Sequence, residues 1–192
     1  RLPRGVHDVF PWSIGMGSST DVSAAARSRS GGGSAGAAAP AIPVRVIAVG
    51  HPDDGDDAVG PLTLASVAAR VPPGVALVHC DGDPMELIEA WNGADLAVVV
   101  DAMRSGAAPG TVGRFEVTDT PLPAHARSPA PPHGPGVHEV IEQARGMGQL
   151  PRRLVVWVIE AADPRPGARA TREVIAGIER AAAAIAKECG RE

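Results

Sequence analysis

Four short runs of mostly branched aliphatic side chains constrain this chain more than any other feature: VRVIAVG (44–50), ALVHC (76–80), DLAVVVD (95–101) and LVVWVIE (154–160). Each is nearly continuous in apolar character rather than alternating, the pattern of strands covered on both faces. A fifth, TVGRFEV (111–117), reads as a further strand. Helical patterns separate them. AVGPLTLASVAAR spaces Val59, Leu62, Leu64 and Val67 as a short helix, with Asp56 and Asp57 at its positive N-terminal end. DPMELIEAW begins with Asp83 as N-cap, Pro84 in the first turn and Glu86 three residues on. VHEVIEQAR reads as a third helix, and TREVIAGIERAAAAIAKEC as a closing amphipathic helix with Val174, Ile175, Ile178, Ile185 and Cys189 on or near one stripe. Strands alternating with helices in this way predict a single α/β domain, a twisted and mostly parallel sheet of about five strands between helices. Aromatic content of 3%, with no Tyr and two Phe, leaves Val, Ile, Leu and Ala to build the core, as such a sheet requires.

The domain is expected to span residues 44–192. Residues 18–40 are Ser, Gly and Ala with few branched apolar side chains, too little burial to offset the entropy of ordering, so residues 1–43 are expected to be a disordered tail. Met16 opens a plausible start, MGSS, and residues 1–15 are expected to lie upstream of it. The tail carries four Arg against two Asp, the remainder fourteen basic against twenty acidic side chains, so the domain is acidic. No basic stripe with interleaved aromatics exists, which argues against a nucleic-acid partner. No run of eighteen apolar residues and no secretory pattern appears, so the expectation is a cytoplasmic protein without a membrane span. Without an exposed heptad or large apolar stripe, it is expected to be a monomer. Cys80 and Cys189 fit neither a C-x-x-C motif nor a disulfide framework and read as buried thiols.

Sites in open α/β sheets form where loops converge at the carboxyl ends of strands. Three groups point there: Asp56 and Asp57 in the loop after the first strand, Asp101 at the end of the central strand, and His133 in a proline-rich loop (118–135) before a helix. One imidazole and two carboxylates would make an open coordination set for a divalent first-row metal such as nickel or zinc. Each also has an ordinary role: an Asp before a helix caps it, an Asp after a strand starts a turn, and a loop His is solvated. Only the combination suggests a metal. The loop HPDDGDD carries four carboxylates and no Lys or Arg, so it would repel phosphate, and no G-x-G-x-x-G fingerprint is present. A magnesium phosphohydrolase is disfavoured on the same ground. There is no G-x-S-x-G elbow, and His79 and Cys80 point to opposite faces of one strand, which speaks against a nucleophilic protease. His51, His125 and His138 receive no primary role.

In order and spacing, VIAVGHPDDGDDAVG, VVVDAM and HGPGVHEVI resemble the hydrogenase maturation proteases, whose mark is a G-N-x-x-x-x-D-[DE]-x-x-G loop. The likeness covers about residues 44–190, and DGDPMEL and IEAADPRPG extend it more loosely. It implies an endopeptidase that removes a C-terminal extension from a nickel-iron hydrogenase large-subunit precursor after nickel insertion. It further implies that Asp57, Asp101 and His133 hold the metal, with nickel carried by the substrate as the recognition element, though another divalent metal would fit the same ligands. A non-catalytic nickel-sensing chaperone of the immature subunit would use the same three residues. The chain departs from the pattern at His51 in place of Asn, at Ala58 in place of Gly, and at Asp53 and Asp54. His51 therefore either adds a ligand or replaces a hydrogen bond.

Overall fold

The computed structural model describes residues 43–52, 58–127, 135–161 and 169–190, all within the unit Ala38–Glu192. The expected tail, residues 1–42, lies outside them. The strands are β1 (Val44–Val49), β2 (Ala76–Cys80), β3 (Leu96–Met103), β4 (Val112–Glu116) and β5 (Arg153–Glu160). The helices are α1 (Val59–Ala68), α2 (Pro84–Trp91), α3 (Val137–Met147) and α4 (Arg172–Cys189). The sheet order is β2-β1-β3-β5-β4, with every pairing parallel except that of β4 with β5. The expected α/β fold class, a five-stranded and mostly parallel sheet between helices, is what the structure shows.

Strand alternation divides the core into two layers. On one face Val44, Val46, Ala48, Leu96, Val98 and Val100 pack under α1 and α4. On the other, Ile47, Val49, Ala97, Val99 and Met103 pack under α2 and α3. Both layers are dominated by Val, Ile, Leu and Ala, with one buried Trp in each, Trp91 in the α2/α3 layer and Trp157 in the α1/α4 layer. Because each helix precedes or follows a parallel strand, the helix N-termini gather at the carboxyl rim of the sheet and the C-termini at the amino rim. Side chains fix these ends. Asp83 Oδ1 accepts from the backbone N–H groups of Met85 (2.8 Å) and Glu86 (3.2 Å), and Thr171 Oγ1 from Val174 (3.3 Å). At the amino rim Arg45 donates to the Ala90 carbonyl at 2.9 Å, where α2 ends.

Three expectations need correction. β3 does not end at Asp101: Ala102 and Met103 pair with Ile159 and Glu160 and are buried, so the ladder runs two residues further. Ile175 is partly exposed, and the buried stripe of α4 is Val174, Gly177, Ile178, Ala181, Ala182, Ile185 and Cys189. Small residues at 177, 181 and 182 let the helix sit close to the sheet, a role hydrophobicity alone does not reveal. The proline-rich segment is not all surface loop either. Leu122 and Ala126 are buried in the α2/α3 layer, a 3-10 turn spans Ala124–Ala126, and Arg127 Nε donates to the Leu122 carbonyl at 2.8 Å. Donor-poor backbone is held here by apolar side chains rather than by a ladder.

Candidate active site

The chain passes from β1 to β2 on one side and returns through α2 to β3 on the other, so β1 and β3 are neighbours whose onward connections diverge. A crevice at the carboxyl ends of such a pair is the usual binding position in an open α/β sheet. Asp101 sits there. Ala48 pairs with Val100, which sets Asp101 level with Val49, immediately before the loop that carries the acidic run. Asp101 falls between Val99 and Met103, both in the α2/α3 layer, so alternation directs its side chain to that face. α3 lies on the same face, and its first residue, Val137, packs in the same layer. α3, which follows His133 in sequence, thus packs on the face to which Asp101 points. Asp57 and His133 themselves lie outside the described residues. Among the described residues, no group of three or more His, Cys, Asp and Glu side chains could hold a metal ion.

The ends of the acidic loop are described and are tightly defined. Gly50 N–H donates to the Cys80 carbonyl at 3.1 Å, and the Gly50 carbonyl lies 2.7 Å from His79 Nε2. A carbonyl only accepts, so this nitrogen carries the proton. At the far end a Cβ on Gly60 would stand 2.1 Å from the Val49 carbonyl oxygen. Only glycine permits α1 to approach β1 this closely, which gives the last Gly of the sequence pattern a steric reason. The two ends of the loop thus meet.

Glu160 went unnoticed in the sequence. It ends β5, is only 3% exposed, and accepts from Ser105 N–H, Ser105 Oγ and Gly106 N–H at 2.8–3.1 Å. These hydrogen bonds offset the cost of burying the side chain. It anchors the turn that leaves β3 just beyond Asp101. The other end of that turn is pressed against α4, where Gly110 (φ +79) and Gly177 leave no room for a side chain. Neighbouring strands β3 and β5 make the Glu160 contact, and a linear reading of the sequence offers no signal for that adjacency.

Cys80 is buried in the α2/α3 layer, and its thiol is pushed up to about 11 by burial, with the nearby Glu86, Asp81 and Asp83 adding to the effect. It stays protonated near neutral pH and is no nucleophile. Of the remaining histidines, His51 is exposed beside Gly50, His125 packs edge-on to Phe115 with ring centroids 5.8 Å apart, and His138 lies in the first turn of α3. Among the described residues no helix is long and apolar enough to cross a membrane.

Residues 63–188 match the family model HycI, hydrogenase maturation protease. No curated protein sequence matches the chain. Among solved structures it is similar to the hydrogenase maturating endopeptidase HybD from Escherichia coli, with 25% identity, a TM-score of 0.61, and 78% of this chain and 93% of that one covered. An endopeptidase from Escherichia coli solved in solution gives 23% identity, a TM-score of 0.63 and coverage of 78% and 92%. The [NiFe] hydrogenase maturation protease HycI from Thermococcus kodakarensis gives 20%, 0.58, and 78% and 93%. The family model matches well over half of the chain and the fold is the one these structures share, so the chain belongs to the hydrogenase maturation protease family.

Proposed function

We propose that this protein is an endopeptidase that removes the C-terminal extension of a nickel-iron hydrogenase large-subunit precursor after nickel has been inserted. Asp57, Asp101 and His133 would hold nickel presented by the precursor, so the metal arrives with the substrate; the same ligands would take another divalent ion. The observation that carries this reading is Asp101 on β3, level with the end of β1 and on the face that α3 covers. Family membership and a preceding loop of four carboxylates without Lys or Arg support it.

When bound, the metal would polarise the scissile carbonyl or activate water. The chain's own part is to hold carboxylates charged and fixed at the rim, and to bring the peptide's cut site against them. With Cys80 protonated and buried, a covalent acyl-enzyme through that thiol is not expected. The reaction is proposed to take place in the cytoplasm and to need one copy of the chain.

Mass spectrometry of nickel-loaded precursor incubated with the full-length protein tests the proposal. Loss of a C-terminal peptide is expected, and an unchanged mass would turn the reading toward a binding role without cleavage. Asp57→Asn and Asp101→Asn are each expected to abolish cleavage with the fold retained; normal cleavage by both would refute the ligand assignment.

A further inference from the structure

We infer that His79 is a positioning residue: its Nε2–H grips the Gly50 carbonyl and thereby sets the direction in which the backbone leaves β1. The inference rests on the metal-ligand reading above, but its structural half can be tested without it.

Gly50 is the first residue after β1, with φ 121, so its backbone turns sharply out of the sheet. Both of its peptide groups are held by β2, the N–H by the Cys80 carbonyl at 3.1 Å and the C=O by His79 Nε2 at 2.7 Å. The first bond is ordinary strand continuation. The second uses a side chain, and it comes at the point where the ladder ends and, among the described residues, no backbone donor continues it: Val49 pairs with Cys80 as the last rung. His79 is itself restrained. It stands opposite Ala48 in the register, its side chain is about one-fifth exposed, and Asp81 Oδ1 lies 3.6 Å from Nε2. With Gly60 seated on the Val49 carbonyl, the loop is fixed at one end by steric contact and at the other by this bond. Loss of the bond would free the ψ torsion of Gly50, whose rotation swings everything downstream. An error of about 1 Å in a reacting group is enough for roughly a hundredfold loss of rate.

The test compares His79→Gln, His79→Asn and His79→Leu in the full chain. The Gln amide reaches about as far as Nε2 and keeps a donor; the Asn amide is polar but falls short, and Leu has no donor. With nickel-loaded precursor, the Asn and Leu variants are expected to lose on the order of 10- to 100-fold in kcat with little change in KM, and Gln to recover most of it. Hydrogen exchange of the free protein gives the second readout. The Gly50 amide should exchange at least about tenfold faster in Asn and Leu than in the native chain or in Gln. Equal cleavage by all three variants, or equal impairment of Gln and Asn, would overturn the inference. So would Gly50 protection that is the same in every variant. Should Leu not fold, the Gln and Asn pair decides. If the native chain fails to cleave at all, the endopeptidase reading falls, and exchange alone still judges whether His79 holds the loop.

Discussion

At the amino rim of the sheet, Glu188 accepts from Arg114, Arg153 and the Trp157 indole, while Glu116 pairs with Arg114 and Arg153. At the carboxyl rim the described acids meet different company: Glu160 is held by N–H and O–H groups, and Asp83 caps α2. Where acid and guanidinium alternate, charge is spent on joining β4, β5 and α4. Where the acids accept from N–H and O–H groups, they fix the turn beyond β3 and the start of α2. The difference teaches that a net charge of -4 is a poor guide to either rim: the described acids serve the fold through guanidinium groups at one and through N–H and O–H donors at the other.

This contrast can be broken by experiment, beginning with the largest effect. Asp101→Asn should abolish cleavage while leaving Tm within a few degrees; a large fall in Tm would mean that Asp101 serves the fold. Replacing Glu160 by Leu leaves the buried donors of Ser105 and Gly106 without an acceptor and should cost about 2–3 kcal/mol in urea denaturation. Cleavage should fall as well, since the turn beyond Asp101 loosens. Gly60→Ala should cost about 1–3 kcal/mol by forcing α1 off β1, and its cleavage defect should exceed what the lost stability explains. At the other rim Glu188→Gln should cost about 1–2 kcal/mol and leave cleavage of the folded protein unchanged. If cleavage collapses there too, the division between rims is wrong.

The smallest effect concerns pH. Hydrogen bonding from Arg153 lowers the Glu116 carboxyl from its ordinary value of 4.5; burial opposes this, and the charge of Arg153 and the nearby Arg114 add to the lowering. A lowered native value contributes stability above about pH 4.5 that is lost as pH falls through the native titration. The side chain is nearly half exposed, so its share is at most a few tenths of a kcal/mol. Glu116→Gln should therefore flatten the acid limb of a stability profile only slightly, and high salt should mimic it in the native protein.

Much of the fold was legible because buried parallel strands leave long apolar runs that few other structures tolerate. β2 coincides with the run read for it, and the other strands differ by a residue or two at their ends. Asp83 and Thr171 mark helix starts by chemistry that acts within one turn, so local sequence suffices. What stayed hidden depends on distant contacts. The extension of β3 past Asp101 follows from pairing with β5; Glu160 matters because β3 and β5 are adjacent; His79 looked like an ordinary strand residue until Gly50 stood beside it. Of the three residues expected to form the site, Asp101 lies on β3 level with the end of β1, and Asp57 and His133 fall outside the described residues.

Because Gly60 rests on the backbone of Val49, the segment between them begins and ends at nearly the same spot. Such a segment behaves as a cassette: its length and composition can vary without moving the strand before it or the helix after it. Doubling a loop whose ends are already joined costs only about 0.6 kcal/mol. Departures such as His51, Asp53 and Asp54 can therefore be accommodated while the frame that holds Asp101 stays still.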